Sequence, residues 1–484
     1  MNKNSKLSIA AVVALLAVSV MNADEALPKQ SLKANYQVAY NKQPASVDNI
    51  SQMFQEGMFY GRLRSNTFLY DWEKETATQD SHIVSAIGGS LVYKSATLKD
   101  FDFTTALYYS KAFFDEDKDP VDKLKPAYDL LSRYDYINGG GKSMTVLGQA
   151  YISYKGLTKT EIRFGRQLVD TFYVSSNDTK MIPNTFDGVA LQTKAAPSTD
   201  IKIAYLTEEK LRGHTDNHSV LAYGDASSSS ELKPTWDQND DTAMHQGLTY
   251  TKLKAVGKED EPLIVGDVHN KSIENLQLDA SFYAVPELIS EVMAEANYKI
   301  NLDGFSLSPG VRYIKQFDNG AGAIGGAAYD ATPTGYKDPN SLDSQMIAAR
   351  LVGKYKNYTL NLGYSQVFDE ADLITPWRGF PTAGYTRSMA RYNWVANTKS
   401  YRAKLTINGN KTGVYKDVYM QLSALHTDAD EAKGYYDENY YYAGFVQNIP
   451  SFVDLQWRLR LGYNDTKQVD ADSLDARLEL NYLF

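Results

Sequence analysis

The chain alternates between apolar and polar positions, most plainly at its C-terminal end. In SLDARLELNYLF, Leu474, Ala476, Leu478, Leu480, Tyr482 and Phe484 fall on one side of an extended strand, and Asp475, Arg477, Glu479 and Asn481 on the other. LQWRLRLGY sets Leu455, Trp457, Leu459, Leu461 and Tyr463 against Gln456, Arg458 and Arg460. YRAKLTIN sets Tyr401, Ala403, Leu405 and Ile407 against Arg402, Lys404, Thr406 and Asn408. YTLNLGYS and FSLSPGVRY repeat the pattern, the latter with Arg312 on its polar face. On this template the chain holds about eighteen candidate strands of membrane-spanning length, an even number as single-chain barrels have. They begin near residues 58, 83, 101, 146, 160, 187, 199, 262, 275, 291, 304, 345, 357, 397, 416, 438, 453 and 473, with LTYTKLKAV at 248 to 256 an alternative to the strand near 262.

The connections sort into two kinds. Every second one is short, as in SATLKD (95 to 100), KGLTKT (155 to 160), AAPSTD (195 to 200) and NLDG (301 to 304); those between are mostly long and polar, around 112 to 145, 168 to 186, 208 to 261, 317 to 344 and 369 to 396. Short turns at one rim and long loops at the other mark an outer-membrane barrel, and a soluble sandwich has no reason to sort its loops this way. The polar faces also carry arginine beside arginine in strand middles, which suits a water-filled lumen with lipid outside. The fold class predicted is all-β: a transmembrane antiparallel β-barrel of about 18 strands over residues 58 to 484, with short periplasmic turns and long extracellular loops.

Composition adds the compartment. MNKNSKLSIAAVVALLAVSVMNA has a charged start (Lys3, Lys6), an apolar stretch from Leu7 to Val20 and a small Ala23 before Asp24 and Glu25, so residues 1 to 23 read as a secretory signal peptide. No later stretch approaches the ~20 uninterrupted apolar residues of a membrane helix. Removing the signal takes two lysines and no acid, moving the formal charge from −9 to −11 and arguing against a nucleic-acid partner. With no cysteine in an exported chain, disulfide frameworks and thiolate metal sites are excluded. Tyrosine is abundant, 36 against 18 Phe and 5 Trp, as suits an interface apolar on one side and wet on the other. Residues 24 to 57, including VDNISQMFQEG, mix weak strand character with helical spacing and read as a periplasmic extension or partial plug.

Motifs for chemistry fail one by one. GGGKS (139 to 143) has Tyr136 where a phosphate-binding loop needs its first glycine. GAGAIGG (320 to 326) is read as loop, without the strand-to-helix setting of a dinucleotide fingerprint. DEDKD (115 to 119) lacks the glycine and bidentate glutamate of a calcium loop. The six histidines are scattered, and His426, at a strand end, has no argued partner for hydrolysis. Neither an enzyme, a resident metal nor a cofactor is expected.

What remains is the placing of basic residues. Arg62 and Arg64 share a strand face in YGRLRSN, and Arg163, Arg312, Arg350, Arg402, Arg458, Arg460 and Arg477 all fall on polar faces. Lining a lumen, these guanidiniums would bind carboxylate or phosphate groups and pass them along. The alternative is that each pairs with a lumen acid such as Glu161, Asp279, Glu295 or Glu479 and stiffens the wall. A constriction is expected from the third long loop, DTFYVSSNDTKMIPNTFDG, where Lys180, Pro183 and Asp187 combine both signs with a rigid turn.

Taken in order, YGRLRSNTFLYDW, TKTEIRFGR followed by KMIPNTFDGVALQ, WRLRLGYN and DARLELNY resemble the OprD family of Gram-negative outer-membrane porins, from about Met58 to the end. The resemblance implies an eighteen-stranded barrel whose third loop, about 168 to 186, folds inward. It also implies a ladder of basic residues that takes in Arg62, Arg64, Lys180, Arg402, Arg458, Arg460 and Arg477, facing an acidic or tyrosine-bearing pocket. The seventh-loop stretch FDEADLITPWRGFPTAGYTRSMARYNW departs from the family pattern, and Asp369, Glu370 and Asp372 are its candidates for the acidic side. The function expected is passive diffusion of small hydrophilic, carboxylate-bearing solutes such as amino acids or organic acids across the cell outer membrane. The alternatives are an unselective general porin and a surface structural or adhesion barrel with a closed lumen. Expected partners are the solutes, outer-membrane lipid and lipopolysaccharide, and the barrel-assembly machinery through the C-terminal strand, with the barrel a monomer or a trimer.

Overall fold

The computed structural model describes residues 28–75, 81–115, 130–132, 135, 141–221, 245–330, 334–410 and 414–484. The signal peptide, most of DEDKD and the start of GGGKS lie outside the described residues.

Eighteen antiparallel strands close into one barrel. In chain order they are β1 (Met58–Trp72), β2 (His82–Lys94), β3 (Phe101–Asp115), β4 (Ser143–Tyr154), β5 (Thr160–Gln167), β6 (Thr185–Thr193), β7 (Thr199–Lys210), β8 (Leu263–Asn270) and β9 (Leu276–Val285). They continue as β10 (Ile289–Tyr298), β11 (Phe305–Asp318), β12 (Ser344–Tyr355), β13 (Tyr358–Val367), β14 (Lys399–Ile407), β15 (Tyr419–Asp428), β16 (Glu438–Ile449), β17 (Phe452–Thr466) and β18 (Ser473–Leu483). Each begins within three residues of its predicted start. LTYTKLKAV forms a helical turn, Tyr250–Ala255, capped by the Thr249 hydroxyl on the Lys252 N–H, so the strand near 262 stands. β18 closes on β1 in a register running from Ser473 opposite Trp72 to Leu483 opposite Arg62. At the seam Gly61 and Phe484 exchange backbone hydrogen bonds of 2.8 and 3.0 Å, and Phe484, Tyr482 and Phe452 stack in a row at the periplasmic rim.

Burial settles which face is inside, and it is the charged one. Along β18, Asp475, Arg477, Glu479 and Asn481 are buried while Leu474, Ala476, Leu478 and Leu480 are not. Along β13, Leu360 and Leu362 are 45 % and 46 % exposed against 8 % for Asn361. A continuous belt of exposed aliphatic and aromatic side chains costs too much in water and fits hydrocarbon, so this is a membrane barrel. Eighteen strands enclose a lumen wide enough for a channel.

The long connections lie at the rim opposite the chain ends, numbered here L1 to L9 as the extracellular loops. The β9–β10 link is the exception: residues 286–288 make a tight turn, with Glu287 at φ 58°. The lumen is not water-filled throughout. Along the outer parts of β7 to β12 the inward positions are themselves apolar: Leu206, Leu263, Val265, Tyr283, Ile314 and Met346 form one buried cluster with loop residues Tyr173, Val174, Val220, Leu248 and Trp377. L3 (168–184) and L7 (368–398) fold into the barrel and supply the apolar partner that these strands need. GAGAIGG belongs to this packing. Contrary to the sequence reading, a helical turn, Ala321–Gly325, does follow strand β11. It is five residues long and packs against His245 and Leu248, so its glycines serve close approach rather than a cofactor.

Before the barrel, a hairpin pairs Gln30–Leu32 with Val38–Tyr40, and a short helix, Ile50–Gln55, starts where the Asn49 side chain accepts from the Gln52 N–H. The helix leaves Ile50 and Phe54 exposed, with the Phe54 ring 5.4 Å from that of Phe103.

Candidate functional site

Period-two geometry projects Arg402 and Lys404 of β14, Arg458 and Arg460 of β17 and Arg477 of β18 into the lumen, and the folded loops bring further cations to meet them. Lys180 comes from L3, Arg212 from L4, and Arg378, Arg387 and Arg391 from L7. These ten side chains border one cavity of about 610 Å³ whose lining holds no aspartate or glutamate among the described residues. The rest of the lining includes six tyrosines: Tyr36, Tyr70, Tyr329, Tyr392, Tyr419 and Tyr442.

The cations differ in how fully their charge is answered. Arg477 donates to both carboxylate oxygens of Asp475, and Arg391 pairs with Glu438 at 2.8 Å. Arg402 donates only to the Arg387 carbonyl, leaving its Nε and one terminal nitrogen buried without a partner. Arg387 likewise has two unpartnered nitrogens, over the ring of Phe380 at 4.3 Å, and burial pulls its pKa down to about 10. Arg460 faces the Tyr36 ring at 5.1 Å and the Met389 sulfur, with no acid at ion-pair distance among the described residues. Buried guanidinium hydrogens without acceptors are costly unless an anion or water supplies them. The cavity therefore concentrates cationic side chains, and its aromatic faces support the guanidiniums without cancelling their charge.

The other predicted residues stand elsewhere. Arg62 and Arg64 share two acids, Asp178 of L3 and Glu479 of β18: Arg62 lies 2.6 Å from Asp178 and Arg64 2.7 Å from Glu479. With Asn66 donating to the Lys180 carbonyl at 2.7 Å, this network pins L3 across the lumen to β1. Across the barrel, Arg312 and Arg350 share Glu295 at 2.7 and 2.9 Å, stack on Tyr385 and hold L7 carbonyls. Arg163 pairs with Glu161 at 2.6 Å beside a second cavity of about 230 Å³. The two readings of the arginines thus divide by position: Glu161, Glu295 and Glu479 hold Arg163, Arg312, Arg350, Arg62 and Arg64 to the wall, while Arg402, Lys404 and Arg460 have no ion-pair partner among the described residues. Asp279 takes His269 instead of an arginine, at 2.7 Å.

Two predicted placements need correction. Asp187 is not in the loop constriction: it is the third residue of β6, beside a bulge, and forms a two-point pair with Arg166 at 2.9 Å, away from the cavity. The L7 acids do not face the cavity either. Asp372 is buried and accepts from Tyr336, Tyr435 and the N–H groups of Tyr329 and Ala396 at 2.7–3.0 Å, fastening the loop. Asp369 binds Lys433 and Lys337, and Glu370 accepts from Gln345. L7 contributes arginine to the lumen, and the tyrosines of the cavity, Tyr419 and Tyr442 among them, lie on the same stretch of wall as the cations. Lys404 was legible in the alternation of YRAKLTIN, whereas Arg212, Arg378, Arg387 and Arg391 depend on how their loops fold back. His426 turns to the outer side of β15, its ring near Tyr401, and no grouping of three metal-ligating residues occurs among the described residues.

No protein-family model matches the chain, and no curated protein matches it. Solved structures do. OpdK of Pseudomonas aeruginosa, solved with vanillate, superposes with a TM-score of 0.65 at 13 % identity over 89 % of this chain and 99 % of its own. OccK8 (OprE) of the same organism gives 0.67 at 14 % over 89 % and 99 %, and Acinetobacter baumannii OccAB1 gives 0.67 at 13 % over 90 % and 98 %. At such identities sequence says little, but the superpositions cover almost the whole of each neighbour: the chain has the fold of the OprD and Occ porins of the Gram-negative outer membrane.

Proposed function

We propose that the protein is a passive outer-membrane channel for small hydrophilic anions, carboxylates above all, which pass along the cations of L7, β14 and β17. The observation that carries the reading is a cavity bordered by ten cationic side chains and no acid among the described residues. A planar carboxylate fits the guanidinium fork. A series of unequal sites favours entry without trapping the solute at one of them. OpdK, with the same fold at 13 % identity, was solved with vanillate, a carboxylate, which points the same way. No energy source is called for, since the solute moves down its own gradient.

The test is liposome swelling with purified protein across succinate, glutamate, lysine and a neutral sugar of similar size, beside single-channel recording. Faster entry of the two acids and a reversal potential of anion sign are expected. Equal rates for all four would make this an unselective general porin, and absence of any current would favour a closed surface barrel.

A further inference from the structure

The hairpin ahead of the barrel lies against the cationic stripe. Its base is clipped at the seam: Gln30 Nε2 donates to the carbonyls of Gly61 at 2.6 Å and Phe484 at 3.1 Å. The Tyr60 hydroxyl donates to the Lys42 carbonyl at 2.6 Å, and the Lys94 ammonium sits 4.2 Å from the Tyr40 ring. Its tip reaches β17. Gln456 donates to the Leu32 carbonyl at 2.8 Å, Arg458 donates to the carbonyls of Lys33 and Ala34, and the Tyr36 ring lies 4.2 Å from the Arg458 guanidinium and 5.1 Å from that of Arg460. Ala34 and Tyr36 border the same cavity as these arginines.

These tip contacts imitate a ligand. Two neutral carbonyls and an aromatic face occupy the donors that a carboxylate would engage with a full charge, and a carboxylate adds the attraction between opposite unit charges that a carbonyl lacks. Base and tip are also held differently. Leu32 is fully buried, whereas Lys33, Asn35 and Gln37 are exposed and the tip is held by polar contacts alone. Tyr36 is moreover at φ 69°, a left-handed conformation that a tyrosine adopts only under constraint.

We propose that the hairpin Gln30–Tyr40 is a resident plug: its tip holds the Arg458/Arg460 site in place of solute, and an arriving carboxylate opens the periplasmic exit by displacing it. The proposal rests on the anion-pathway reading and adds a gate to it.

Two variants of the full chain test it. Because the sequence has no cysteine, Tyr36→Cys carries a single thiol, which a charged methanethiosulfonate reagent added on the periplasmic side can reach once the tip leaves β17. Labelling is expected to be several-fold faster in succinate than in glucose of equal osmolarity; an equal rate overturns displacement by anions. Deletion of residues 30–40 is expected to raise unitary conductance in KCl at least two-fold, and conductance equal to that of the parent overturns the plug. The parent's reversal potential in a KCl gradient separates the two ideas. Anion preference with unchanged conductance in the deletion removes the plug and leaves the pathway. Absence of anion preference in both removes the pathway whatever the hairpin does.

Discussion

Removing the two neighbouring cations of β14 tests the pathway most directly. Arg402 and Lys404 occupy successive inward positions of one strand and border the cavity, and neither has an acid partner among the described residues. A carboxylate about 4 Å from one unit charge gains about 1 kcal/mol in water-like surroundings and about 4 kcal/mol at an effective dielectric constant of 20. Taking the lower figure as a floor, the pair contributes about 2 kcal/mol, or roughly thirty-fold in local anion occupancy. Salt screens this strongly, so the assay is the reversal potential across a KCl gradient kept near 0.1 M, where the Debye length is about 10 Å. Arg402→Gln with Lys404→Gln is expected to move the reversal potential well toward cation preference. The matched control is Arg477→Gln with Asp475→Asn, which deletes a neutral pair from the same wall and is expected to leave it in place. A β14 variant with the parent's reversal potential, or two variants that shift alike, would refute the reasoning.

Other consequences follow from the loops and the wall. Burial pushes the Asp372 carboxyl up to about 6, so its contribution to holding L7 is fully present below about 4 and is lost as pH rises through 6, about 3 kcal/mol in all. Limited proteolysis of L7 should quicken over that window, and Asp372→Asn should remove the dependence. L3 and L7 touch where Gly379 passes the backbone of Phe172 and Tyr173, and a Cβ there would lie 2.2 Å from the Phe172 carbonyl oxygen. Gly379→Ala should therefore separate the loops at a cost of about 1–3 kcal/mol, read as altered conductance in a barrel that still folds. Leu362, at the middle of β13 and 46 % exposed, should tolerate Arg poorly: about 2–4 kcal/mol less folding stability in lipid vesicles by urea titration. Equal stability would mean that this face does not meet hydrocarbon.

The wall was legible because its signal is local. A strand that has lipid on one side and water on the other must alternate, so YTLNLGYS and DARLELNY announce both their conformation and their inward face. The lumen filling was less legible. Val265, Ile314 and Met346 face inward yet are apolar, and alternation cannot say whether such a position meets water or a loop folded back from far along the chain. The same blindness misplaced charge in L7, whose acids, first in the stretch, suggested an acidic pocket wall. Asp372 is turned away by four donors drawn from L6, L7 and the segment after β15, and the arginines behind it take the pore.

By itself, then, the sequence determined the barrel, its strand number, the face that meets lipid and the inward set from Arg62 to Arg477, because a period of two and the cost of charge in hydrocarbon leave no other arrangement. Tertiary structure alone decided which of those cations are answered by acid and which stand open. Glu479 finds Arg62 across 417 residues, Asp178 finds it across 116, and Glu295 finds Arg312 and Arg350 across 17 and 55, whereas Arg402, Lys404 and Arg460 have no ion-pair partner among the described residues. That division depends on where the loops and the hairpin come to rest, and no local pattern carries it.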